Sequence, residues 1–231
     1  MRTLRRYTRN LIVSLSTLNR GIGINNDLPW DLRPDLKRFK KLTVGNGNNA
    51  VLMGRNTLES LPKGYLPGRD NLVLSRTMKS NKCNVFNEWG EMDYYVSNRD
   101  YDELWIIGGE GVYRDSLNRN GYVDNVYLTN VIGDYKCDTF FPLLGDNFKK
   151  TEQTEIFEYK EHKYFYEKYV NIDTLQVEIR IIINGHTAIR LWIFFVIDRF
   201  ININFFCHFN NEFKVIPKFI SMSNRFSGNM R

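Results

Sequence analysis

The stretch LWIIGGEGVYRDSL, residues 104–117, decides how the rest of the chain is read. Its first half is apolar without polar alternation, the pattern of a strand buried on both faces in a parallel sheet. Gly108 and Gly109 end the run, and EGVYRDSL opens a helix directly behind them. Three other short runs have the same character: LIVSL (11–15), AVLMG (50–54) and NLVLS (71–75). AVLMG likewise passes through Gly54 into Arg55, Asn56 and Thr57 and a helix-like NTLESL. Strand–helix alternation predicts an α/β fold. VYLTNVI (126–132) and DTFFP (138–142) follow; KKTEQTEIFEYK and HKYFYEKYV then read as an aromatic, β-prone antiparallel pair near the sheet edge.

The ends of the chain differ from this body. The 231 residues carry 32 Lys+Arg against 26 Asp+Glu, a formal net charge of +6. Setting aside the four arginines of the first ten residues, and the seven basic and four acidic residues of 171–231, leaves 21 basic against 22 acidic for residues 11–170. The body is near neutral, so the basic excess is no nucleic-acid footprint. Residues 1–10 are expected to be a basic tail, residues 11–170 one α/β domain, and residues 171–231 an extension of a different kind. That extension is crowded with Ile, Phe and Asn and shows no defensible period. Three readings of it stand: a small β-rich element, a disordered segment, or translated sequence never selected to fold, the last favoured because turn chemistry is lacking between its apolar runs. Its most apolar run, LWIFFVI, has seven residues, far short of the ~20 a bilayer span needs, so no membrane partner is expected. The Arg-rich start has too short an apolar stretch for a signal peptide, and a cytoplasmic protein is expected, with the acid-free leader leaving an organelle open. Three cysteines at wide spacing offer neither a disulfide framework nor metal-ligand pairs, and no metal site is expected.

Two constellations carry chemistry. In open α/β sheets ligands bind beyond the carboxyl ends of the strands, where glycines admit a ligand close to backbone and helix N-termini favour phosphate. Gly54-Arg55-Asn56-Thr57, Ser75-Arg76-Thr77 and Gly108-Gly109-Glu110-Gly111-Val112 all follow strand-like runs. A hydroxyl beside an arginine suits a monoester phosphate such as the 2′-phosphate of NADP. Singly, each glycine reads as a turn and each arginine as a solvated surface group; three together point to a dinucleotide. The second constellation is DLPWDLRPDLKRF, residues 27–39. Pro34 suits a helix start, and Leu32, Leu36, Phe39 and Leu42 share one helix face. Asp35 lies in that apolar face, where burial raises a carboxyl pKa. The bland reading is an acid complementing the helix dipole.

IVSL, GIGINNDLPW, PDLKRFKKLT, VLMGRNTLESLP, LPGRDNLVLSRT, WIIGGEGVY, VYLTNV and DTFFP, in this order, resemble the dihydrofolate reductases over about residues 11–170. The resemblance implies a mostly parallel, mixed sheet of eight strands flanked by helices. It implies NADPH as hydride donor and 7,8-dihydrofolate as substrate, with hydride passing to C6, a proton to N5, and a monomeric enzyme supporting one-carbon metabolism. Carried over by residue, Asp35 matches the active-site carboxylate that binds the pterin, Thr129 the threonine bonded to it, Trp30 the tryptophan that holds a nearby water, and Leu28 a neighbour of the acid. Leu36, Phe39 and Leu61 match the apolar walls. Arg69 matches the clamp for the glutamate α-carboxylate. Ile12, Ser14, Ile107 and Tyr113 match pocket and nicotinamide neighbours. Gly21, Ile22 and Gly23 belong to the mobile lid, whose glycines supply φ freedom. Gly108–Gly109 matches a cis peptide.

Ser14 and Glu110 depart from the family pattern, which has alanine and a small or neutral residue there; Glu110 brings a negative charge to the pyrophosphate site unless it turns away. One extra residue lies between the first strand and the lid. Two other functions compete: a related NADPH-dependent pyrimidine reductase of riboflavin synthesis, and a non-catalytic RNA-binding relative. Asp35 and Arg69 favour folate over the first, and the neutral body speaks against the second. Sixty-one further residues cannot hold a thymidylate synthase, so a fusion is not expected of this chain.

Overall fold

A computed structural model describes residues 7–174 in full and, beyond them, the backbone of 176–183, 186–194, 204–209 and 212–217. The chain divides into two units, Met1–Asn171 and Ile172–Arg231.

The first unit is built on one mixed sheet. Its strands are β1 (Thr8–Ser16), β3 (Asn49–Gly54), β4 (Asp70–Leu74), β5 (Asn84–Phe86), β6 (Glu103–Gly108), β7 (Asn125–Ile132), β9 (Phe148–Gln153), β10 (Phe157–Tyr159) and β11 (His162–Asn171). The order is β10-β11-β7-β1-β6-β3-β4-β5, with β9 also paired to β11. β10 pairs residues 162–164 of β11 and β9 pairs residues 167–171, so both lie along the edge that β7 leaves free. They form one broken lane, and the sheet has the eight lanes expected. Neighbours from β7 through β5 are parallel, whereas β11 runs antiparallel to β7 and to both strands of the broken lane.

Four helices cover the two faces. Leu42 and Phe39 of α1 (Arg33–Val44) and Leu58 of α2 (Arg55–Ser60) pack with Ile12, Val51, Met53, Val73 and Trp105 on one face. Met92 and Val96 of α3 (Trp89–Ser97) and Val112 and Tyr113 of α4 (Glu110–Leu117) pack with Leu11, Leu52, Leu72, Leu104 and Ile106 on the other. Adjacent residues of one strand thus serve opposite cores, which is why these strands read as continuous apolar runs. Truncating one of these fully buried leucines to Ala costs about 2–5 kcal/mol. A short ribbon of β2 (Gly21–Gly23) and β8 (Thr139–Phe140) stands off the main sheet.

Three sequence expectations need correction. The basic tail does not extend to residue 10, because β1 begins at Thr8. Arg9 is held there by Asp93 at 3.4 Å and by the Tyr122 ring 3.9 Å beneath it, while Asn10 is buried and donates to Glu103. Residues 1–6 lie outside the described residues. Second, β5 and α3 complete the unit where the sequence reading placed nothing. Third, after a 3-10 turn at Ile172–Thr174 the described parts of 172–231 are hairpin strands. β12 (Gln176–Ile183) pairs antiparallel with β13 (His186–Phe194), and β14 (Asn204–Phe209) with β15 (Glu212–Pro217). The two residues between β12 and β13 in the sequence are Asn184 and Gly185, the strongest short hairpin signal, so turn chemistry is present after all. Among the described residues no helix is long and apolar enough to cross a membrane.

Candidate active site

The parallel strands deliver their carboxyl ends to one side of the sheet. β1 leads there into the lid, β3 ends at Gly54, β4 at Leu74 and β6 at Gly108. The chain passes from β1 through α1 to β3 and leaves a lane between them, which β6 fills. Such a reversal of strand order opens a crevice at strand ends.

Asp35 enters this crevice from the first turn of α1, which the rigid φ of Pro34 helps to start. Thr129, in the middle of β7 and 1% exposed, donates its hydroxyl to Asp35 Oδ1 at 2.7 Å. Burial pushes the Asp35 carboxyl above the ordinary range; the Thr129 hydrogen bond and the Arg38 charge pull it partly back.

The apolar residues divide by exposure. Ile12, Phe39, Leu61 and Ile107 belong to the packed layer under α1 and α2. Leu28 and Leu36 stay 44% and 52% exposed, which suits walls of an open groove better than core. Trp30 is buried edge-on to Tyr135 at 5.0 Å, and its Nε1 has no hydrogen-bond partner among the described residues. Tyr135 in turn bonds His162 Nδ1 at 2.8 Å, a support that the sequence reading missed. The Tyr113 hydroxyl donates to the Ile12 carbonyl at 2.8 Å and ties α4 to the middle of β1. Ser14 Oγ is buried without a partner among the described residues, one lane from Thr129. Arg69 reaches back to Thr43 Oγ1 at 2.5 Å and lies 5.8 Å from the Phe39 ring, while its buried Nε has no partner among the described residues. An arginine tethered at one nitrogen and free at another suits an incoming carboxylate.

The dinucleotide candidates also converge. Arg55 donates to Glu59 at 2.6 Å and to Thr77 Oγ1 at 3.3 Å, which links the residues following β3 to those following β4. Ser75 Oγ accepts from the Met78 amide at 3.1 Å, and Arg76 is exposed beside it. Asn56 and Gly111 are also exposed, and Val112 is buried. Gly108–Gly109 is cis, as the resemblance implies. A Cβ on Gly109 would sit 3.3 Å from Thr57 Oγ1 and fill the cleft between two strand ends. No side chain caps the first turn of α4, so its amides remain available to an anion. These groups fit a nucleotide phosphate. Glu110 turns its carboxylate elsewhere, accepting from the Phe140 amide at 3.2 Å and pairing with Arg114 at 3.5 Å.

The lid corrects its own expectation. Gly21 and Gly23 do not use positive φ; Arg20, Asn25 and Asn26 do. Ile24 and Asp27 exchange two 3.0 Å backbone bonds around Asn25-Asn26, a two-residue turn with both central residues left-handed. Gly21 is needed for close approach instead, since a Cβ there would lie 2.3 Å from Cys137 Sγ. Gly23 accepts from the Asp138 amide at 3.0 Å, and Ile22 packs against the core. Among the described residues no group of three or more His, Cys, Asp or Glu could hold a metal.

A family model for dihydrofolate reductase matches residues 10–171. The chain belongs to the dihydrofolate reductase family. Membership makes it an oxidoreductase of folate one-carbon metabolism. It is 36% identical over 152 residues to a dihydrofolate reductase of Drosophila melanogaster, covering 61% of this chain and 82% of that one. It is 33% identical over 184 residues to that of Rattus norvegicus, covering 71% and 97%. A bifunctional dihydrofolate reductase-thymidylate synthase of Paramecium tetraurelia is 40% identical over 131 residues, and the match spans 56% of this chain but 27% of that protein.

Proposed function

We propose that the chain reduces 7,8-dihydrofolate to 5,6,7,8-tetrahydrofolate with NADPH. The observation that carries this reading is the half-buried carboxyl of Asp35, bonded to Thr129 and flanked by the exposed Leu28 and Leu36. An anion there matches the 2-amino group and N3 of a pterin, and its field favours a proton at N5. Ile12 and Ile107 offer backbone carbonyls to the same ring, and a carbonyl that already accepts from Tyr113 keeps a second lone pair. Leu28, Leu36, Phe39 and Leu61 supply apolar walls and exclude water, and Arg69 takes the glutamyl carboxylate.

NADPH, when bound, supplies the hydride. Arg55, Thr57, Ser75, Arg76 and Thr77 would hold its phosphates, together with the amides at the start of α4. The test is one assay: purified chain, NADPH and dihydrofolate, followed at the NADPH absorbance band. Dihydrofolate-dependent loss of the band is expected. No loss with dihydrofolate, but loss with a pyrimidine intermediate of riboflavin synthesis, would overturn the reading.

A further inference from the structure

Asp35 is not the only ionised side chain that α1 aims at this end of the sheet. Arg38 lies one helical turn later, and its guanidinium carbon sits 4.0 Å over the Tyr166 ring. Tyr166 of β11 is the register partner of Thr129 of β7. Two adjacent lanes therefore seat two residues that are neighbours on the helix: Thr129 receives Asp35 and Tyr166 receives Arg38.

The Arg38 charge is not spent elsewhere. Among the described residues its Nη1 is buried with no hydrogen-bond partner and it makes no contact ion pair. Two carboxylates act on it, Asp35 more strongly than Glu152. Glu152 is already bonded to Lys168 at 3.2 Å. Asp35 has the Thr129 hydroxyl and the Arg38 charge. The other groups around the pair are the phenols of Tyr166 on β11 and Tyr127 on β7, both pushed upward by burial and neutral through the working range.

We propose that Arg38 is a positioning residue for the reduction, a guanidinium laid on Tyr166 to hold a positive charge beside Asp35 and steady its carboxylate against Thr129. The stacked ring supports the cation without neutralising it, as an aromatic face does. The guanidinium stays charged at any working pH, so its effect on Asp35 is constant. Burial raises the Asp35 carboxyl, and the Thr129 hydrogen bond and then the half-buried Arg38 charge oppose that rise. This inference rests on the reading of Asp35 as the acid of the site, but not on the identity of the substrate.

The experiment reads Asp35 directly. The full-length protein is labelled with carboxyl-¹³C aspartate, the Asp35 resonance is assigned by its loss in Asp35→Asn, and its midpoint is titrated. Arg38→Met and Arg38→Gln keep much of the stem and remove the charge; each should raise the midpoint by about one pH unit. Arg38→Lys keeps the charge and should leave the midpoint within a few tenths. Tyr166→Leu removes the platform without touching Arg38 and should move the midpoint upward, whereas Tyr166→Phe should not. A folded Arg38→Met, Arg38→Gln or Tyr166→Leu with the wild-type midpoint overturns the proposal. So does Arg38→Lys shifting as far as Arg38→Met. Failure of the wild-type chain to reduce dihydrofolate would overturn the functional proposal and leave this titration standing.

Discussion

Asp35 spends its life as an unfavourably buried acid, and stability and turnover respond to it in opposite directions. Its folded pKa is raised, so the native state binds the proton more tightly than the unfolded chain does. The stabilising contribution is fully present below the unfolded pKa and is lost as pH rises through the folded one. Asp35→Asn keeps the shape and the Thr129 donor bond without the charge. The variant should therefore melt higher than wild type at pH 8, with the gap closing toward pH 4. Its turnover at pH 7 should fall at least about 100-fold and recover partly in acid, where solvent protonates the substrate beforehand. Wild-type rates at pH 7 would remove Asp35 from its assigned role. Arg69→Ala should weaken dihydrofolate binding about 10- to 100-fold while hardly changing activity on a pterin that lacks the glutamate, since one charge-assisted pair is worth roughly 1.5–3 kcal/mol. Equal losses on both substrates would make Arg69 structural. Asp35 is legible in the sequence as a carboxylate that helical spacing sets in an apolar stripe, and the motifs around it supply the role that spacing does not. Arg38 is not, because its meaning depends on Tyr166, which lies 128 residues away and meets it only once β11 is registered on β7.

Among elements, the buried parallel strands and the helices behind their glycines can be read directly, since each is a local pattern. The lid cannot. Its sequence suggests glycines placed for freedom, whereas the structure uses Asn25 and Asn26 for the left-handed turn and Gly21 to let β2 pass Cys137. Close approach between segments more than a hundred residues apart leaves no local mark. Gly21→Ala should cost about 1–3 kcal/mol by overpacking, measured in denaturant. Adding Cys137→Gly should recover part of that loss, because the clash reaches both Sγ and Cβ. Strict additivity of the two changes would show that the contact does not govern the ribbon. The short α3 escaped sequence reading for a different reason: only Met92 and Val96 are buried in it, too few to announce a period.

For the whole molecule, the limit of the reductase unit falls a little later than the sequence reading places it. Asn171 is 1% exposed; its amide and side chain donate to Asp124 and Val123 at 2.8 Å, and it accepts from Asn147 at 3.0 Å. A chain truncated after Thr174 should stay soluble and retain activity. One truncated after Val170 loses these bonds and should be about 1–3 kcal/mol less stable. If truncation after Thr174 gives insoluble or inactive protein, residues 175–231 serve the reductase unit and their separation from it is wrong. The lane order also bears on synthesis at the ribosome. β1 is made first yet sits inside the sheet, between β6 and β7. Its earliest partner, β6, starts at Glu103, roughly 90 residues after β1 ends. At about 5–20 residues per second, the apolar LIVSL segment waits roughly 5–20 seconds for a neighbour. During that interval the nascent chain presents a lone, sticky ribbon, which gives a holding chaperone something to grip and slow translation something to penalise.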